Sequence, residues 1–276
     1  MHAVTLPRGP RHACRGLLLA LVALAAAPPA MTGADGREAP ATPVRLVDHV
    51  RPLAKAMLER PREAAQVLEG PAVAAMRNDR SPGRTWMARL GGTTFRVTTQ
   101  DASKVGVEHV LEQVQRLPAR YRRCLEIVSE PQKDGVAVYA DLQGAAAHGS
   151  QDYLNMIPAA TVFVVLHEAG HILEQRATSR KPGILARWAT AAAADRISVS
   201  AYGDLITHED QAEFALVYGI ALDAGPEHLE ALKALSPRRF ALWEEILALA
   251  AAPAPGAAEP PVAPKDRPAK AQAPKG

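Results

Sequence analysis

The run Val164-Val165-Leu166-His167-Glu168-Ala169-Gly170-His171-Ile172-Leu173 sets two histidines four residues apart inside an apolar stretch. An α-helix turns by about 100° per residue, so positions four apart return to nearly the same face. His167 and His171 can therefore direct both imidazoles at one point, while Glu168, next to the first ring, points nearby without sharing that position. Apolar residues on both sides call for a buried helix, read here over Thr161 to Gln175. Gly170 permits close approach by a neighbouring backbone. The fold must bury this helix and leave one end of it open to solvent.

Two histidines at this spacing with a glutamate directly after the first form the HExxH arrangement, in which the histidines bind zinc and the glutamate acts as general base. Catalytic zinc takes three protein ligands and keeps one position for water. A third ligand must come from downstream, and the candidates are Asp195, His208, Glu209 and Glu213. Pattern favours the Glu209/Glu213 pair. The two are four apart in Thr207-His208-Glu209-Asp210-Gln211-Ala212-Glu213, so one helix face can present one carboxylate to the metal and the other behind it.

The flanking sequence supplies a fold for such a site. The chain has 276 residues, 48% apolar and 22% charged, which is ordinary globular composition. Aromatic residues make up only 4%, so the core leans on Leu, Val, Ile and Ala. Val44 to Leu68 is apolar at three- and four-residue steps and reads as a helical extension, broken or kinked at Pro52 and Pro61. Strands are expected at Thr93 to Thr99 and Gly135 to Leu142, with a short edge strand at Tyr153 to Ile157. An edge strand beside a cleft could pair with an extended peptide. Val107 to Val128 is helical with an interruption at Pro118, and helices return over Asp210–Leu222, Glu227–Leu235 and Arg238–Leu249. The expected class is α+β: a small mixed sheet, the His167/His171 helix and a mainly helical C-terminal part.

The two ends read differently. Residues 1–30 carry Arg8, Arg11 and Arg15, then an apolar run from Leu17 to Ala27, then small residues. This is the order of a secretory signal peptide, with an apolar run too short to span a bilayer. The expected location is secreted or periplasmic, with no stable membrane span after cleavage. Those three arginines account for the whole formal charge of +3, so the remainder is near neutral and nucleic acid is not an expected partner. Cys14 falls in the leader, leaving Cys124 with apolar neighbours at helical spacing and no partner for a disulfide. The expected organisation is a leader at 1–30, a linker and helical extension at 31–85, a main domain at 86–250 and an Ala/Pro/Lys-rich disordered tail at 251–276.

The run Ser200-Ala201-Tyr202-Gly203 followed by Glu209-Asp210-Gln211-Ala212-Glu213 resembles the bacterial gluzincin metallopeptidases of the anthrax lethal factor catalytic domain type. The resemblance spans about residues 160–250, with a weaker echo at Ser236-Pro237-Arg238-Arg239-Phe240. It implies a zincin-like fold that binds one zinc ion through His167, His171 and Glu209. It also implies Glu168 as general base, Tyr202 directing its hydroxyl at the scissile carbonyl, and Glu213 supporting a ligand from behind. The chain departs from the pattern at Gln211, where an aromatic residue is common, and at His208 beside the implied ligand. The expected activity is endopeptidase hydrolysis of a protein or peptide substrate, by a monomer. The competing expectation is a secreted zinc-binding module that acts through a protein partner without hydrolysis.

Overall fold

The computed structural model describes residues 44–252. The expected leader at 1–30 and nearly all of the expected tail lie outside them. The described chain is α+β, a six-stranded mixed sheet with eight α-helices. It opens with α1 (Leu46–Glu59), followed by β1 (Gln66–Ala75), β2 (Pro82–Leu90) and β3 (Thr93–Gln100) as an antiparallel meander. Helices α2 (Val107–Val114) and α3 (Arg123–Val128) then cross to β4 (Gly135–Val138), which lies parallel to β3. β5 (Ala147–Ser150) and β6 (Tyr153–Met156) form a hairpin. β6 is inserted parallel beside β4, so the sheet order is β1-β2-β3-β4-β6-β5. Five α-helices follow the hairpin: α4 (Val162–Arg180), α5 (Ile184–Asp195), α6 (Thr207–Ala224), α7 (Pro226–Leu235) and α8 (Pro237–Ala251).

Alternation along β3 explains which face is covered. Phe95 and Val97 are fully buried and point toward the helices, whereas Arg96 faces away. Val136 and Val138 of β4 and Leu154 and Met156 of β6 continue that apolar layer. Each such side chain, once buried, contributes about 1.5–3 kcal/mol. Against this layer lies α4, apolar almost all round from Val162 to Leu173. A helix with no polar stripe must be buried on every side, and α4 meets this by lying between the sheet and the C-terminal helices α6 and α8. Cys124 is fully buried in the same core.

Local chemistry sets the ends of the later helices. Gly183, at φ 86°, turns the chain sharply after α4 and caps α5. Pro226 and Pro237 each begin a helix at the position where a missing N–H costs nothing.

Three expectations are corrected by the fold. Residues 66–68, expected as the end of the helical pattern from Val44 to Leu68, belong instead to strand β1. β1 is exposed along nearly its whole length, including Val67, Leu68 and Val73. It carries no burial period to read, and its conformation comes from pairing with β2. The helix at 46–59 runs through Pro52 without a break, because Pro52 lies on the exposed side, where water can serve the carbonyl it frees. The edge strand is β5, not Tyr153–Ile157: β6 has a partner on both sides. Among the described residues no helix is long and apolar enough to cross a membrane.

Helix α1 is attached at a particular place. Its first two N–H groups, which no helical carbonyl can serve, donate to the carbonyls of Ser198 and Val199, both at 3.0 Å. Arg45 adds a bond from Nε to Ser198 Oγ at 3.2 Å. The segment held in this way carries Tyr202.

Candidate metal centre

Helix α4 brings His167 and His171 to one face, and the first turn of α6 lays Glu209 against them. His167 Nε2 lies 3.1 Å from Glu209 Oε2, and His171 Nε2 lies 3.6 Å from the same oxygen. The three candidate ligand atoms fall within 4.8 Å of one another. Among the described residues His167, His171 and Glu209 are a group that could hold a metal ion. Behind them Glu213, one turn further along α6, places Oε1 2.8 Å from His167 Nδ1. That contact fixes the ring so that Nε2 is the nitrogen aimed at the cluster. The donor set suits a borderline divalent cation: two imidazoles and a carboxylate, one ring held from behind.

The electrostatics also call for a cation. Glu168, Glu209 and Glu213 are all buried around His167, which is 1% exposed. Burial alone would lower the basicity of His167. The hydrogen bonds to Glu209 and Glu213, with the charge of Glu168, outweigh it and push the imidazole up to about 10. Burial would likewise raise the Glu209 carboxyl, but its bonds to His167 and His171 hold it well below the usual carboxylate range. The surrounding carboxylates thus favour positive charge at this position.

The close approach of α4 and α6 depends on small residues. A Cβ placed on Gly170 would sit 2.7 Å from Ala215 Cβ and 3.0 Å from Ala212 Cα. One turn away, a Cβ on Gly219 would meet Leu166 at 2.8 Å. Alanine is favoured over glycine in a helix by about 1 kcal/mol, yet overpacking against fixed backbone costs about 1–3 kcal/mol. Gly170→Ala is therefore expected to destabilise the protein and to weaken metal retention, because α6 must move away carrying Glu209. Urea denaturation and competitive zinc titration check this. A variant more stable than wild type, with unchanged affinity, would mean that the helix contact has slack.

The remaining site residues surround this group. Glu168 is 2% exposed, and the edge strand crosses directly over it: a Cβ on Gly149 would come within 2.5 Å of the Glu168 carbonyl. Tyr202 lies with its ring 5.9 Å from that of His167, tilted by 45°. His208 stands at the solvent side, its ring 5.6 Å from His171. Asp195 does not take part. Its carboxylate accepts from the backbone N–H groups of Arg238 and Arg239, both at 3.0 Å, and so caps α8.

Sequence reasoning passed over two features. Tyr153 lies near enough to Glu168 that, after burial, the charge of Glu168 further raises its hydroxyl pKa. Its alternation in β6 marked a strand, with nothing to mark its neighbour. The second is a buried network around Arg239. That side chain bonds Asp195 Oδ2 at 3.3 Å and Asp210 Oδ2 at 3.0 Å, and donates to the Ile197 carbonyl. Asp210 also accepts from Trp188 Nε1 at 2.7 Å. Arg239 thus grips both ends of the segment that leads through Tyr202 to Glu209. Comparison of the chain with protein-family models, curated proteins and solved structures found no significant match.

Proposed function

We propose that this chain is a zinc-dependent endopeptidase of the gluzincin type, with a zincin-like fold, exported through its N-terminal leader. The observation that carries the reading is the convergence of His167, His171 and Glu209 from two helices, with Glu168 on the turn between the two histidines. A zinc ion held there would acidify its water and polarise a carbonyl.

The chain's own groups have distinct tasks. The Glu168 carboxylate accepts the proton of the attacking water and passes it to the leaving amine. The Tyr202 hydroxyl donates to the oxygen on which charge develops. Glu213 keeps His167 in the orientation and tautomer that expose Nε2. β5 favours a peptide as substrate. It is the end strand of the sheet, so among the described residues its outer edge has no strand partner, and it passes over Glu168. An extended chain pairing with that edge would bring its backbone to the site. A zinc-binding module without hydrolysis would have no evident use for a carboxylate at Glu168.

Protein purified without a histidine tag is expected to contain one zinc per chain and to cleave members of a random peptide library. Chelation should abolish cleavage, and stoichiometric zinc should restore it. Metal-free protein of unchanged activity would overturn the proposal. Full zinc occupancy with no cleavage across the library would favour the binding module instead.

A further inference from the structure

The turn of α6 that delivers Glu209 also delivers His208, which is not one of the converging ligands. The two oxygens of Glu209 face different partners. Oε2 points at His167 and His171, whereas Oε1 lies 3.2 Å from His208 Nε2. The His208 side chain is 46% exposed against 9% for Glu209, so the imidazole closes the carboxylate from the solvent side. His208 Nε2 thus stands within ion-pair distance of Oε1.

A carboxylate beside a divalent cation can bind through one oxygen or both. The difference matters at a catalytic site, where three protein donors must leave one position open. If Oε1 also turned to the cation it would fill the position that water needs. We infer that His208 is a positioning residue that holds Glu209 Oε1 away from the cation, so that Glu209 ligates through Oε2 alone. This rests on the metal-centre reading above. Hydrogen bonds to the outer atoms of ligands commonly tune metal sites in this way. The position of Nε2 on the outer oxygen, rather than among the converging donors, separates this role from that of a fourth ligand.

Cobalt(II), whose visible spectrum reports coordination number, supplies the test. Wild type, His208→Ala and His208→Gln are stripped of metal and titrated with cobalt(II), and affinity is measured by competition with a chromophoric chelator. Wild type is expected to give the strong visible band of a four-coordinate site. His208→Ala should give the weaker band of a five-coordinate site and bind about tenfold less tightly. Glutamine keeps a polar N–H group of similar reach beside Oε1, so His208→Gln should move both readings back toward wild type. A His208→Ala protein that matches wild type in band and affinity overturns the inference, and so does a glutamine variant as impaired as the alanine one. Failure of wild type to take up cobalt would instead remove the metal centre itself, and the inference with it. His208 is largely in solvent, so neither substitution threatens the fold.

Discussion

Glu168→Gln is expected to keep zinc, keep its stability and lose cleavage of any library peptide by about 10²- to 10⁴-fold. Glutamine has nearly the shape of glutamate, so the contact of β5 over position 168 is preserved. The proposed ligands His167, His171 and Glu209 are untouched. What is removed is the carboxylate's charge and, with it, the capacity to accept a proton. Zinc content, urea denaturation and single-turnover cleavage would be measured on the same preparation. A variant that cleaves at the wild-type rate would remove Glu168 from the chemistry. A variant that is inactive because it has lost zinc would show that Glu168 acts on the metal site instead.

The second large effect is on stability. Arg239→Ala should cost about 3–5 kcal/mol, because it leaves carboxylates buried without their partner. Arg239 is 1% exposed; of its partners, the Asp195 side chain is 0% and that of Asp210 12%. Burial already raises the Asp210 carboxyl, and the charge of Arg239 opposes that rise. Without the guanidinium, Asp210 would be driven further toward its neutral form, and the Ile197 carbonyl would lose its donor. A domain has only about 5–15 kcal/mol in total, so the denaturation midpoint should fall steeply. Zinc retention should fall with it, since Asp210 follows Glu209 in the same helical turn. Breaking the exposed Lys55–Glu59 pair should change little by comparison. An Arg239→Ala protein as stable as wild type would show that the network is not bearing charge.

The parts of this molecule that were legible in the sequence are those whose signal is local. His167, Glu168 and His171 announce themselves by spacing in an apolar helix. Glu209 and Glu213 do so by sharing a helix face, and the alternation of Phe95 and Val97 marks β3. Other parts depend on contacts distant in sequence. β5 reads Ala147-His148-Gly149-Ser150, with no β-branched or aromatic residue to suggest a strand. It is one because it pairs with β6 and rests on α4. β1 is exposed on both faces and follows its partner. Arg239 stands in the run Ser236-Pro237-Arg238-Arg239-Phe240 with nothing local to mark its partners; the fold places Asp195 and Asp210 on either side of it. His208 was visible as a neighbour of Glu209, but which carboxylate oxygen it faces is decided by packing.

The glycine and alanine contact between α4 and α6 has a mechanical consequence. Leu166 apart, the contacting positions Gly170, Ala212, Ala215 and Gly219 carry no side chain that could change rotamer. At these points of closest approach the two helices have no soft layer between them, which stiffens the spacing of His167, His171 and Glu209. In the proposed peptidase, accommodation of different peptides would then fall to elements outside this contact: the β5 edge on one side, and the exposed Leu205 and Ile206 just before α6 on the other.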